Sequence, residues 1–237
     1  MKTGYADFNS FRHPHFTDNF SDSCDEKLPS VKSQVKLSLT HRLLNEFLSF
    51  CNAEQKSEMI DSLKDRIPEM VHTNDGSWVA LRCIWDGTAK ERKMIVKNFK
   101  SLVVKTCLEE FGHRVLIGIF DAVDDTVLVN KYIVQEIANE VRTVALNRFG
   151  ERVLHYLVHP RDPRYFGKGS LDIFKKGDNN ANSKKDAKER YAQLFAGIAK
   201  PLLTFIVANL NELLFDSLTA LLVLSVLEPK CKLEPSF

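Results

Sequence analysis

The feature that most constrains this chain is a period. Four segments align on one anchor: THRLLNEFL from Thr40, GSWVALRCI from Gly76, GHRVLIGIF from Gly112 and GERVLHYLV from Gly150, with the anchors 36, 36 and 38 residues apart. The third, fourth, seventh and eighth positions beyond each anchor are apolar, namely Leu43, Leu44, Phe47 and Leu48; Val79, Ala80, Cys83 and Ile84; Val115, Leu116, Ile119 and Phe120; Val153, Leu154, Leu157 and Val158. That spacing is one face of an amphipathic helix. A fifth copy, TALLVLSVL from Thr219, lies 69 residues beyond the fourth and sets Leu222, Val223, Val226 and Leu227 at the same offsets.

Between these helices the text predicts others of matching length. Glu54 to Met70 would turn Met59, Ile60, Leu63 and Ile67 inward, and Ala89 to Leu108 would turn Met94, Ile95, Phe99, Leu102 and Val103 inward. Helix pairs repeated at about 36 residues mark an α-solenoid, because one pair alone cannot bury its apolar stripe and must stack. The expected fold is all-α, a superhelix of about five repeats over residues 31–237, preceded by a disordered arm at 1–30 rich in Ser, Asp, Asn and Phe. From His159 to Lys188 the chain carries Pro160, Pro163, three glycines and an Asn/Lys-rich tail, which predicts a flexible surface insertion.

Charge and cysteine usage exclude some classes and leave others open. Lys and Arg number 33 against 31 Asp and Glu, a net charge of +2, so overall charge does not argue for a nucleic-acid partner and local distribution must. The five cysteines are scattered singly with no CxxC pair, as expected of reduced thiols rather than a disulfide framework or zinc site. The apolar run from Pro201 to Leu227 is broken by Asn209, Asn211, Glu212 and Asp216, so no membrane span is expected.

His155 and His159 have metal-ligand spacing, but Tyr156 stands where a zinc protease needs its glutamate and Pro160 ends the helix. Asp121, Asp124 and Asp125 precede a helix opening at Thr126, which makes capping the simpler role. No nucleophile motif or phosphate loop is found. The expectation is a binding protein, without catalytic residues, cofactor or metal.

The anchored helix at this period resembles the second helix of Pumilio (PUF) repeats. The stretch from His72 to Lys100 (HTNDGSWVALRCIWDGTAKERKMIVKNFK), FDAVDDT from Phe120 and the terminal LTALLVLSVLE are similar to the Puf-A branch, nucleolar Pumilio-like proteins with a C-terminal CPL segment. The resemblance runs from about Leu37 to Glu228 and matches the C-terminal part of such proteins. It implies three positions per repeat that face bases, one and five beyond the anchor for base edges and two beyond it for stacking. These are His41, Asn45 and Arg42; Ser77, Leu81 and Trp78; His113, Ile117 and Arg114; Glu151, His155 and Arg152; with Ala220, Leu224 and Leu221 in the fifth copy.

Leu81, Ile117 and Leu224 can neither donate nor accept, so no base-by-base code is written. The resemblance implies binding of RNA, and also DNA, through basic surface with little sequence preference. It also implies pre-ribosomal particles as partners, a nuclear and nucleolar location, and work in ribosome biogenesis or translational regulation, by a single copy of the chain away from membranes.

Two basic stretches are candidates for phosphate contact: Lys90, Arg92, Lys93, Lys97 and Lys100, and in the insertion Lys175, Lys176, Lys184 and Lys185. The rival reading is a protein-binding scaffold of HEAT type, which acidic Glu151 at a reading position favours.

Overall fold

The computed structural model describes residues 34–228, which are helical with no strand among them; the arm expected at 1–30 lies outside these residues. Five anchored helices form an inner layer: α1 (Ser38–Phe50), α4 (Asn74–Asp86), α7 (Gly112–Ala122), α11 (Gly150–Val158) and α14 (Ser217–Leu227). Each packs on the next in that order. The outer layer holds α2 (Ala53–Leu63) with α3 (Ile67–Met70), and α5 (Ala89–Asn98) with α6 (Val103–Leu108). It continues through α8 (Thr126–Val129), a π-helical turn (Asn130–Val134), α9 (Gln135–Asn139) and α10 (Val141–Ala145), and ends in α13 (Ala187–Leu213).

The apolar pattern is the core. In the three interior copies all the positions at the four offsets are buried, from Val79 to Val158. In the first and last copies Leu43 and Leu227 are exposed, on helices that each pack on one anchored helix among the described residues.

The outer helices are not continuous, contrary to the sequence expectation. Each of the first three breaks into a longer and a shorter piece, so that a repeat has three helices, whereas α13 runs on with a bend at Asn209. Between α5 and α6 the break falls at Ser101, whose φ of 67° lies in the left-handed region and whose N–H donates to Glu136 Oε1 at 2.6 Å. The short helix explains the anchor glycine. A Cβ on Gly76, Gly112 or Gly150 would collide with the carbonyl oxygen six residues back, that of Met70, Thr106 or Val144 respectively. Only glycine lets the short helix lie that close to the start of the inner helix.

Capping follows the sequence. Asn52 with Gln55 and Thr88 with Glu91 form capping boxes, Thr73 caps α4, and Asp125 caps α8 through the Leu128 N–H. The π-helical turn brings Asn130 against Gly197 of α13, where its side chain donates to Gln193 O at 3.0 Å. By length and composition α13 could cross a bilayer; here Leu194, Ile198, Leu202, Phe205 and Ile206 pack into the last repeat, and buried Arg190 donates to Phe120 O and Asp124.

Segment 159–186 is the largest departure from expectation. The predicted flexible insertion is a strap, with one helix of its own, α12 (Lys168–Lys175), laid over the inner layer. Arg161 binds Asp121 at 2.7 Å and Asp178 at 2.6 Å. Buried Asp121 also accepts from Tyr156 Oη at 2.5 Å and from Tyr191 Oη. Phe166 and Phe174 are buried against the edge of the Tyr156 ring. The strap ends with Asn182 donating to Asp86 O at 3.1 Å and Ser183 to Ala122 O at 2.6 Å, which ties it to the C-terminal ends of α4 and α7.

Candidate nucleic-acid interface

In the three interior copies the positions expected to read base edges point into the protein, whereas in the terminal copies Asn45 and Ala220 are half-buried and Leu224 is exposed. His41, Ser77, His113 and Glu151, one beyond each anchor, are each 4% exposed or less, as are Leu81, Ile117 and His155 at five beyond. Most of their polar groups are partnered, although the buried His155 Nδ1 and Asn45 Oδ1 have no hydrogen-bond partner among the described residues. His41 bridges Val35 O (2.5 Å) and Thr73 Oγ1 (2.7 Å), and Ser77 Oγ donates to Asn74 O at 2.7 Å. His113 donates from Nδ1 to Glu109 O at 3.1 Å and stacks on Phe149; burial pushes its imidazole down to about 4. His155 donates to Glu151 Oε1 at 3.0 Å and stacks on Tyr165 of the strap. Asn45 is half-buried and donates to Asp75 at 3.0 Å. His113 and His155 are therefore interior side chains rather than contacts for a base.

The positions two beyond the anchor behave differently. Arg42 and Arg152 are exposed, and Arg114 and Trp78 half-buried. Arg114 lies 5.3 Å from the Phe111 ring centre and donates to Asn74 Oδ1 at 3.5 Å. Burial lowers its pKa, the nearby Glu110 opposes that shift, and the charge of Arg152 adds to it. Arg148, which the sequence reading missed, sits 4.8 Å over the Phe149 ring. Arg114 and Arg152 thus share one neighbourhood on the inner layer, each raising the potential felt by the other, and neither forms a salt bridge among the described residues. An anion placed there would relieve their repulsion.

Trp78 is closed over. Lys176 stands 4.5 Å above its ring, Trp85 meets it edge-on, and Gly177 presses on Trp85. Counted from the anchors, the strap touches Trp78 at the second position, His155 at the fifth, and Trp85 and Asp121 at the ninth. Those offsets are a single helix face. The strap therefore covers the face of α4 and α11 that would otherwise line the inner surface.

Of the basic stretch on α5, Lys90, Lys93 and Lys100 are exposed and Lys97 half-buried, and none forms a salt bridge among the described residues. Spaced three, four and three apart, they make one stripe on the outer layer, away from Arg114 and Arg152. Arg92 does not belong with them. It turns inward, 3% exposed, and donates to Ala122 O (2.7 Å), Trp85 O (2.8 Å), Asn180 Oδ1 (2.7 Å) and Ser183 Oγ (3.0 Å), so its charge serves the fold. In the strap Lys175, Lys176 and Lys184 are exposed, with Lys175 3.3 Å from Asp172. Lys185 is half-buried and donates to Gln193 Oε1 at 2.8 Å. Sequence reasoning had no signal for the inward turn of Arg92, which only its partners across the strap explain.

Comparison with known proteins bears on this geometry. Residues 146–235 match the CPL (NUC119) domain, so the strap and the last repeat lie within that segment. The chain is 48% identical over 206 residues to Pumilio domain-containing protein 12 of Caenorhabditis elegans, covering 86% of this chain and 27% of that protein. It is 36% identical over 193 residues to Pumilio homolog 3 of Homo sapiens, covering 81% of this chain and 30% of that protein. The crystal structure of human Puf-A in complex with DNA superposes with a TM-score of 0.80 at 36% identity, covering 81% of this chain and 38% of that one.

The chain belongs to the Pumilio-repeat family. Its relatives place it in the Puf-A branch, and it spans about a third or less of the length of the curated relatives it matches. The RNA-binding domain of yeast Puf5p bound to MFA2 RNA shares the fold, with a TM-score of 0.52 at 18% identity over 85% of this chain and 58% of that one. In this chain the edge positions of the three interior copies are buried.

Proposed function

We propose that this chain grips RNA, and DNA as well, by its phosphate backbone and with little regard to sequence. The observation that carries the reading is the contrast along the inner helices: edge-reading positions of the three interior copies buried, Arg42, Arg114 and Arg152 outward without strong carboxylate partners. Similarity to human Puf-A, which has been crystallised with DNA, supports it. The lysines of α5 and the exposed lysines of the strap supply further cationic surface. The scaffold alternative loses the support of Glu151, which is buried against His155 and offers no acidity to a protein ligand, and keeps that of the near-neutral net charge.

By its kinship with the Puf-A branch we assign the chain to the nucleus and nucleolus. There it works on pre-ribosomal particles in ribosome biogenesis, or on messages in translational regulation. Tagged chain should concentrate in nucleoli and co-sediment with large-subunit precursors; exclusion from both would overturn that assignment.

Two surfaces carry positive charge, and charge reversal separates them. Arg114→Glu with Arg152→Glu reports on the inner layer, and Lys93→Glu with Lys97→Glu and Lys100→Glu on the outer stripe. Fluorescence anisotropy with a labelled RNA should show each set weakening binding about 10-fold or more at moderate salt. Affinity unchanged by both sets would refute the proposal.

A further inference from the structure

The α13–α14 end of the stack is apolar, where a terminal repeat ordinarily turns a polar face outward. Along α13, Leu203, Val207, Leu210 and Leu214 are 40–69% exposed, and Leu221, Leu224 and Leu227 of α14 are 42–70% exposed. Phe215, in the turn between the two helices, is 93% exposed. No charged residue occurs from Ser217 to Leu227, so α14 is apolar all round while only part of it is covered. A helix of that composition is ordinarily buried on every side.

We propose that this face joins two copies of the chain about a two-fold axis, with α13 crossing α13 of the partner subunit in antiparallel fashion. The stripe is its own complement. Leu203, Val207, Leu210 and Leu214 are spaced four, three and four residues apart, which reads the same in both directions. Antiparallel pairing sets Leu203 on Leu214 of the partner subunit and Val207 on Leu210 of the partner subunit, a row about 16 Å long.

The charges at the two ends also match. Lys200, three residues before Leu203 on the same face, is exposed and forms no salt bridge among the described residues. In this pairing it comes beside Asp216 of the partner subunit, just beyond Leu214. Asn209, whose φ of −125° and ψ of 17° bend α13 between Val207 and Leu210, falls at the axis and limits the contact to a short crossing. An isologous contact of this kind closes at two copies, whereas end-to-end stacking of solenoids would grow without limit.

Sedimentation equilibrium of the whole chain, without nucleic acid, tests this over a concentration range of about 1 to 100 µM. The expected result is a reversible monomer–dimer equilibrium. Val207→Asp with Leu210→Asp should raise the dimer dissociation constant about 30-fold or more, and Lys200→Glu should raise it by a smaller factor. Both substitutions fall on exposed side chains, so circular dichroism should show unchanged helix content and confirm that the variants fold. A wild-type chain monomeric throughout, growth beyond two copies, or a dimer indifferent to Val207→Asp with Leu210→Asp overturns the proposal; a monomeric chain that instead binds lipid vesicles or another protein through this face does so equally.

Discussion

Substituting the anchor glycines by alanine tests the repeat architecture at its tightest point, because two effects of opposite sign meet there. Gly76 lies in the first turn of α4, where replacing glycine by alanine ordinarily favours helix by up to about 1 kcal/mol. In this fold the added Cβ would overlap the Met70 carbonyl. At Gly112, the mildest case, it would stand 2.6 Å from Thr106 O, whereas ordinary contact begins at 3.4 Å, so the short helix has to move by about 0.8 Å. Displacing packed backbone in this way costs about 1–3 kcal/mol.

The collision outweighs the propensity gain at Gly76, for a net loss of about 2 kcal/mol. In a chain of this size that lowers Tm by about 4–8 °C. The overlap is deepest at Gly76, intermediate at Gly150 and least at Gly112, so destabilisation should follow that order. Gly169 of α12 has nothing within 4 Å of its hypothetical Cβ, so Gly169→Ala should be neutral or stabilising. Thermal unfolding followed by circular dichroism measures all four. A Gly76→Ala protein as stable as wild type would refute the claim that the short helix dictates the anchor.

Arg92→Ala should lower stability by about 3 kcal/mol in urea unfolding, since it removes the side-chain donor to Trp85 O, one of two side-chain donors to Ala122 O, and the holds on Asn180 and Ser183 at the end of the strap. The folded fraction should bind RNA as before, whereas binding lost at full stability would return Arg92 to the interface. His113, held at about 4 in the folded protein against an ordinary 6.5, is neutral where the unfolded chain takes up a proton. Stability is therefore fully present above about pH 6.5 and falls by about 3 kcal/mol as pH drops through that window to about 4. His113→Phe should flatten this slope in urea titrations, and an unchanged slope would exclude His113 as its main source. Ser101→Gly relieves a left-handed conformation worth about 1 kcal/mol and should be neutral or stabilising, while Ser101→Val should cost more than about 1 kcal/mol; equal stability of the two would contradict the strain.

Much of the fold was legible in the sequence because stacking repeats imposes a strict apolar offset, and every interior position with that offset is buried. The three-helix character of the repeat was hidden. The breaks near Ser101 and between α2 and α3 leave the apolar periodicity nearly intact, and a left-handed serine carries no obvious sequence mark. The strap was misread for a different reason. Its composition is that of a loop, yet its order comes from distant partners: Asp121 for Arg161, Arg92 for Asn180 and Ser183, and the Trp85 face for Gly177. None of these pairings has a local signature.

The same blindness affected the candidate site. Side-chain chemistry at Leu81 and Ile117 led to the expectation that bases are not read there. It did not foretell that chemically able residues, Ser77, His113 and His155, would be withdrawn into the core as well. Whether a cation faces solvent, as Lys93 does, or backbone carbonyls, as Arg92 does, depends on what crosses the helix, and one residue of spacing separates the two.

The central claim, a Pumilio array that holds nucleic acid without reading it, is tested most directly by measuring affinity for several RNAs of equal length and unrelated sequence across a salt series. The account predicts affinities within about 3-fold of one another at each salt concentration, falling steeply with salt as phosphate contacts are screened. A preference above about 100-fold for one sequence, the mark of base-edge contacts worth 1–3 kcal/mol each, or an affinity indifferent to salt, would contradict it.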